Sequence, residues 1–331
     1  MDPVSQAVVG SAAAQSISKK QFVSAGILGC LGGMAPDLDV LIRSSTDPLL
    51  FLTYHRHFTH SLLFIPIGGL ICALVLHQLI GKRQDLSFKQ SYLYCTVGYA
   101  THALLDACTT YGTMLFWPFS DVRIAWNMVS VIDPLFTIPL LLLVIAATLK
   151  KNPWLARIAL LWAVTYPSLG LLQHDRAIAV GYQIAQQRGH NPTRLEAKPS
   201  FGNILVWKVV YEYDQYFYVD AVRAGINTQI FIGDRAAKLD TNRDFPWLDK
   251  NSQQAKDIER FRWFSIDYLA IDPDNTNRVI DVRYSMVPNQ IAPLWSIELS
   301  PSAKPAEHVK YLTNRDASDA RLDVFKAMLF D

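Results

Sequence analysis

Charge is scarce in this sequence: Asp, Glu, Lys and Arg make up 18% of its 331 residues, against roughly 25% in an average soluble chain. The shortage is concentrated. Between Ser61 and Gly81 there is no Asp, Glu, Lys or Arg at all, whereas from about Asn191 onward charges recur every few positions. A net charge of +2, with no basic run interleaved with aromatics, gives no sign of a nucleic-acid partner. Cysteine is sparse too. Cys30, Cys72, Cys95 and Cys108 all fall in the apolar half and no two are spaced CxxC. That argues against a thiolate zinc site and against a secreted disulfide framework, which would need cysteines in the polar half. Residues 1–21 lack a basic run followed by an apolar core, so insertion into a membrane is expected to rely on internal segments and not on a cleaved signal peptide.

Those internal segments are present. Ser61–Gly81, Val131–Leu149 and Trp154–Gln173 are apolar and near the length of about 20 residues that a hydrocarbon core requires. Two more stretches are compromised: Phe22–Ile42 carries Asp37 and Asp39, and Ser91–Leu105 is short and contains His102. They read as helices whose outer ends run into a polar pocket, because ionisable groups within a membrane face a cavity or each other. With all five as spans, Lys19, Lys20, Lys82, Arg83, Lys89, Lys150 and Lys151 lie on one side, and Arg43, Arg56 and Arg123 on the other. Seven against three puts the N-terminus and the 82–89 loop in the cytoplasm. The polar C-terminal half is then outside.

The expected architecture is an α-helical membrane domain of about five apolar helices followed by a small, soluble β-rich (α+β) domain. Its divisions are a transmembrane domain at 1–175, a linker helix at 176–190 and an extracytoplasmic domain at 191–331. Asn203–Val210, Gln215–Val222, Trp263–Ile271, Arg278–Met286 and Leu294–Leu299 are rich in β-branched and aromatic residues and predict strands. Asp272-Pro273-Asp274-Asn275 predicts a turn between two of them.

The residues that carry chemistry crowd at the outer ends of the first four segments. Segment one ends in Gly32-Gly33-Met34-Ala35-Pro36-Asp37-Leu38-Asp39, where Pro36 disfavours helix at Ala35 and two carboxylates can converge on a cation. The run His55-Arg56-His57-Phe58-Thr59-His60-Ser61 directly precedes the second span. Segment three ends in His102, Asp106 and Thr109, whose spacings of four and three place them on one helical face. A His and an Asp at i, i+4 can share an ion. Asp133-Pro134 opens the fourth span.

Individually these residues have plain explanations. Asp133 suits a helix N-cap before Pro134, Asp106 and Arg56 suit an ion pair, and His57, His77 or His174 suit a membrane boundary. As a set, Asp37, Asp39, His55, His60, His102 and Asp106 read as ligands of a divalent metal. The mixed imidazole and carboxylate donors favour Zn²⁺ first, then Mn²⁺ or Fe²⁺, over Ca²⁺ or Mg²⁺. They exceed what one catalytic zinc needs. Either two ions bind, or some carboxylates act as base and outer support.

At these positions the chain resembles the YdjM/YbcI family of inner-membrane metal-dependent hydrolases. The resemblance rests on Pro36-Asp37-Leu38-Asp39, on His55-Arg56-His57-Phe58-Thr59-His60-Ser61, and on Gly98-Tyr99-Ala100-Thr101-His102 through Asp106 and Thr109 to Gly112 and Trp117-Pro118. It covers roughly residues 1–140, including the opening Met1-Asp2-Pro3-Val4-Ser5-Gln6-Ala7. Two positions depart from it: His57 stands where many members carry Gly, and Gln6 falls where members often carry His. The resemblance implies metal-dependent hydrolysis without fixing a substrate. The expected reaction is hydrolysis of a lipid or envelope ester or phosphoester at the outer membrane face. Asp39 or Asp133 would act as base and Arg56 would neutralise an anionic group. The rival expectation is a non-catalytic, metal-stabilised anchor for an extracytoplasmic binding domain.

Overall fold

The structure is a computed structural model that describes residues 1–225, 227–314 and 318–331. Two compact units divide the chain: Met1–Leu41, Tyr54–Leu171 and Phe201–Asn203 form one, and Ile42–Thr53, Leu172–Ser200 and Ile204–Asp331 the other.

The first unit is helical. α1 (Pro3–Ile17) is capped by Asp2, whose side chain accepts from the Val4 and Ser5 amides, with Pro3 at the start of the helix. α2 (Phe22–Met34) runs back along α1 and passes into a 3₁₀ segment at Ala35–Leu41, where Pro36 ends the α-helix. After the short α3 (Leu50–Tyr54), Ser61 accepts from the Phe64 amide and opens a continuous helical run, Leu62–Gln84, whose α-helical part is α4 (Ile65–Leu76). α5 (Phe88–Ala107) starts at a capping box between Ser87 and Gln90. α6 (Pro134–Lys150) is capped by Asp133, and α7 (Pro153–Gln187) continues into the second unit.

Glycine sets how closely these helices approach. A Cβ on Gly98 of α5 would fall 2.2 Å from the carbonyl oxygen of Gly29 in α2, and one on Gly29 would fall 2.3 Å from that of Gly10 in α1. Only a hydrogen side chain lets three backbones touch there. α1 carries its polar side chains into this contact. Gln6 lies at the Asp106 end and Gln15 bonds Thr148 near the far end of α6. The turn after α1 lies beside the 82–90 loop, since Gln21 bonds the Asp85 carbonyl and Gln90. Lys19 and Lys20 therefore share the end of the 82–89 loop as expected, but α1 itself begins at the opposite end, with the His/Asp residues.

Of the five expected spans, two helices are long and apolar enough to cross a bilayer, Leu62–Gln84 and Pro153–Gln187, while Pro134–Lys150 is apolar but shorter at 17 residues. The other two fall short for physical reasons. Phe22–Ile42 is α-helical only to Met34. Ser91–Leu105 lies within α5, whose buried positions include Ser91, Tyr94, Tyr99, His102 and Asp106. Leu63, Ile67, Leu70, Ile71, Leu74 and Val75 are exposed along the first long helix, which is the face a lipid would cover.

The second unit is β-rich. β1 (Arg194–Pro199), β2 (Val206–Tyr213), β3 (Tyr216–Ala224) and β4 (Thr228–Phe231) form an antiparallel sheet in sequence order, and β5 (Arg235–Ala237) pairs with β3. β6 (Leu269–Asp272), β7 (Asn275–Asp281), β8 (Trp295–Glu298) and β9 (Lys310–Thr313) form a second antiparallel sheet. Val210, Phe217 and Val219 of the first sheet pack with Ala270, Ile280 and Val282 around a common core. Trp207, Val209 and Val222, on the other face, are covered by Ala177 and Ile184 of α7. Short α8 (Thr241–Asp244) precedes α9 (Gln253–Phe264), and α10 (Asp319–Phe330) closes the chain.

Four of the five predicted strands correspond to β2, β3, β7 and β8 with shifted ends, and the predicted turn joins β6 to β7. The fifth, Trp263–Ile271, is strand only at its end, in β6, and begins in a helix: α9 is capped by Ser252 and buries Gln254, Asp257, Ile258, Phe261 and Phe264 at helical spacing. Ile42–Thr53 is held inside this unit by Arg260, which reaches Asp47 at 2.8 Å, and by Phe51, which packs edge-on to Tyr311 at 5.3 Å.

Candidate metal centre

Each residue of the cluster is aimed by a local feature. The 3₁₀ segment after α2 presents Asp37 and Asp39. A short 3₁₀ turn at Phe58–His60 presents His60 immediately before the Ser61 cap. The last two turns of α5 present His102 and Asp106 four residues apart. Arg56 holds a left-handed φ of 61°, which reverses the chain between His55 and His57. An arginine there costs on the order of 1–2 kcal/mol, so the surrounding contacts must hold it.

They converge. His60 Nε2 and His102 Nε2 are 2.9 Å apart. Asp37 Oδ1 lies 3.6 and 3.4 Å from these two nitrogens, and Asp106 Oδ2 lies 3.4 and 3.6 Å from them. All four ligand atoms lie within 4.8 Å of one another. A tetrahedral site with bonds of about 2.0–2.2 Å has ligand–ligand edges of about 3.3–3.6 Å. Four of the five distances fall in or next to that range, and the short one joins two imidazole nitrogens that can share a proton when no ion separates them. The cluster can hold a divalent metal ion.

The outward-facing atoms support the same reading. A ligating histidine almost always gives its second ring nitrogen to a carboxylate or carbonyl. Here His102 Nδ1 meets the Gly33 carbonyl at 2.5 Å, and His60 Nδ1 lies 3.0 Å from Thr59 Oγ1 and 3.3 Å from Asp39 Oδ2. Asp106 Oδ2 lies 2.9 Å from Arg56 Nε but without hydrogen-bond alignment, and it accepts from no buried donor. His60, His102 and Asp106 are fully buried, while the Asp37 side chain is 25% accessible. The cluster therefore opens at Asp37.

The remaining expected residues take other positions. Asp39 does not join Asp37 around the imidazole nitrogens. Its Oδ2 accepts from the Arg56 amide (2.9 Å) and the Thr59 hydroxyl (2.8 Å), and its Oδ1 meets His55 Nδ1 at 2.8 Å. The reason is helical: at three residues per 3₁₀ turn, positions i and i+2 project in different directions. Arg56, expected at a substrate anion, is 4% exposed, contacts Asp106, donates to Thr109 Oγ1 at 3.0 Å and stacks over Tyr111. That places it as support for Asp106. Asp133 is outside the ligand group. It caps α6 and accepts from the Tyr166 hydroxyl at 2.9 Å. His57 packs against Trp117. Gln6 was visible in the sequence only as a departure from the family. It is fully buried and donates from Nε2 to Asp106 Oδ1 at 2.8 Å, and the Met1 amine bonds the same oxygen.

Comparison with known proteins agrees with the residue pattern. The YdjM inner membrane protein family matches residues 1–177. Inner membrane protein YbcI of Escherichia coli is 34% identical over 108 residues, which is 31% of this chain and 60% of YbcI. The uncharacterized protein YfhP of Bacillus subtilis is 27% identical over 103 residues, 31% of this chain and 30% of YfhP. The match thus spans three fifths of the first relative's length and under a third of the second's. No solved structure matches.

Proposed function

The chain belongs to the YdjM inner membrane protein family, and from that premise we propose that it is a metal-dependent hydrolase of a membrane lipid or envelope ester or phosphoester. The observation that carries this reading is the convergence of His60, His102, Asp106 and Asp37 with Asp37 alone accessible. A structural ion is enclosed by its ligands, whereas a catalytic one keeps an open position. That opening favours the enzyme over the anchor. When bound, a divalent ion lowers the pKa of water toward neutrality and polarises a scissile carbonyl or phosphoryl oxygen.

The protein's own part is orientation. Gly33 and Asp39 fix which nitrogen each imidazole presents, and Arg56 and Gln6 hold the Asp106 carboxylate. Zn²⁺ suits the two-nitrogen, two-oxygen set, with Mn²⁺ and Fe²⁺ as the other fits. Substrate access from the membrane is supported by Leu38, between the two acids, and Leu41, just beyond them, which are 64% and 74% exposed.

The same reading places the bundle in the inner membrane with further, shorter helices crossing beside the two long ones. The site and the β-rich unit then lie on the outer face. One observation supports that side: the seven-to-three distribution of Lys and Arg. The test is elemental analysis of the purified full chain together with phosphatase, esterase and lipase assays. Stoichiometric metal and one hydrolytic activity, both lost in His102→Ala, are expected. Metal without any activity across the panel would return the reading to an anchor.

A further inference from the structure

The ligand atoms do not stop at four. Asp37, Asp39 and His55 form a second group, each offering an atom within 4.8 Å of the others, and Asp37 belongs to both groups. We infer that the centre takes two divalent ions, the second held by Asp39, His55 and a shared Asp37, and that it acts on an anionic phosphate ester. This rests on the metal-dependent reading above and deepens it.

The division of labour within Asp39 is the first argument. Its Oδ2 is occupied by the Arg56 amide and the Thr59 hydroxyl and faces His60 Nδ1, so it supports the first group. Its Oδ1 meets His55 Nδ1, and a carboxylate oxygen with one such partner has a second lone pair to offer. The 2.8 Å separation of Asp39 Oδ1 and His55 Nδ1 parallels the 2.9 Å separation of His60 and His102. In each group the short edge joins two atoms that can share a proton.

Access is the second argument. The His55 and Asp37 side chains are 17% and 25% accessible, whereas His60, His102 and Asp106 are closed off. The second group is on the open side, where an ion can meet both solvent and substrate. Charge gives the substrate class. Asp37, Asp39 and Asp106 stand against Arg56, with the Met1 amine also on Asp106, so at most two negative charges are left. Two divalent ions exceed them and leave a positive excess, which a phosphate ester neutralises and a neutral carboxylic ester does not. Paired ions sharing ligands are the arrangement that clamps both oxygens of an in-line phosphoryl displacement.

The experiment is a Mn²⁺ titration of the detergent-purified full chain, read by elemental analysis and by electron paramagnetic resonance. His55→Ala and His102→Ala are carried in parallel, with circular dichroism as the folding control. Wild type should bind two ions with an exchange-coupled spectrum. His55→Ala should bind one, with an uncoupled six-line spectrum, and should hydrolyse a phosphate monoester or diester probe at least tenfold more slowly. One ion in wild type would overturn this inference and leave the single-ion reading standing, and no ion would overturn both. Two ions retained in His55→Ala, or both lost, would overturn the partition of ligands.

Discussion

Gly98→Ala tests the link between helix packing and the metal centre without touching a ligand. Gly98 and His102 are one turn apart on α5, and Gly29 and Gly33 are one turn apart on α2. The Gly98–Gly29 contact therefore sits one turn below the His102–Gly33 hydrogen bond. An added Cβ would fall 2.2 Å from the Gly29 oxygen. Carbon and oxygen settle at about 3.3 Å, so the backbones must part by about 1 Å. A hydrogen bond of 2.5 Å stretched by that much is lost. Losing an outer partner of a ligating histidine weakens metal binding about 10–100-fold. Stability should move less, because overpacking costs about 1–3 kcal/mol and alanine regains up to about 1 kcal/mol of helix propensity. The assay is competition against a chromophoric chelator in detergent, beside thermal unfolding. Gly69→Ala is the control. Its methyl would meet Thr96 Oγ1 at 2.2 Å, overpacking α4 against α5 without reaching the Gly33 carbonyl. Wild-type affinity in Gly98→Ala, or an equal loss in both variants, would refute the reasoning.

His60→Ala, His102→Ala and Asp106→Ala should each lower bound metal sharply while His77→Ala and His308→Ala do not, measured by elemental analysis; full metal in the first three would remove the site. Arg56→Met removes the guanidinium from buried Asp106 and leaves it the Met1 amine and Gln6, so unfolding in detergent should show a loss of up to about 3–5 kcal/mol, and an unchanged midpoint would show that the pair contributes nothing. A periplasmic reporter fused after Asp331 should be active and one fused near Gln84 inactive, and the reverse would invert the proposed topology. Lys208, buried in the β-rich unit and donating to Ser285, Pro288 and Gln290, is pushed down to about 7 by burial against the pull of Asp281 and Asp220. Its unfolded value is about 10.4, so the unfolded chain holds more protons between those limits and the unit should gain stability as pH rises from 7 to 10. That gain, on the order of 5 kcal/mol at most, should vanish in Lys208→Met when unfolding is followed by the β-sheet signal.

The ligands were legible because ionisable residues stand out in apolar sequence, and because the His102–Asp106 spacing fixes a shared face whatever the tertiary packing. The roles within the set were not. Asp37 and Asp39 look equivalent in the sequence, and only a 3₁₀ segment separates one toward the imidazole nitrogens and the other behind them. Gln6 was hidden for a different reason: α1 reads as small and neutral, and nothing local says that such a helix will be buried against α5. The misread strand at Trp263 has a composition that favours both states. Trp263 and Phe264 suit a strand by composition, while the Ser252 cap and the burial period belong to a helix begun ten residues earlier.

The attachment of Asp47 to Arg260 also bears on how the protein is made. Asp39 and His55 lie on either side of Ile42–Thr53, and that segment belongs to the β-rich unit. Its partner Arg260 is 213 residues further along the chain. At about 5–20 residues per second, the ribosome delivers it some 10–40 seconds after Asp47. During that interval Ile42–Thr53 lacks its Arg260 partner, so this loop takes its place in the β-rich unit only after most of the chain has been synthesised.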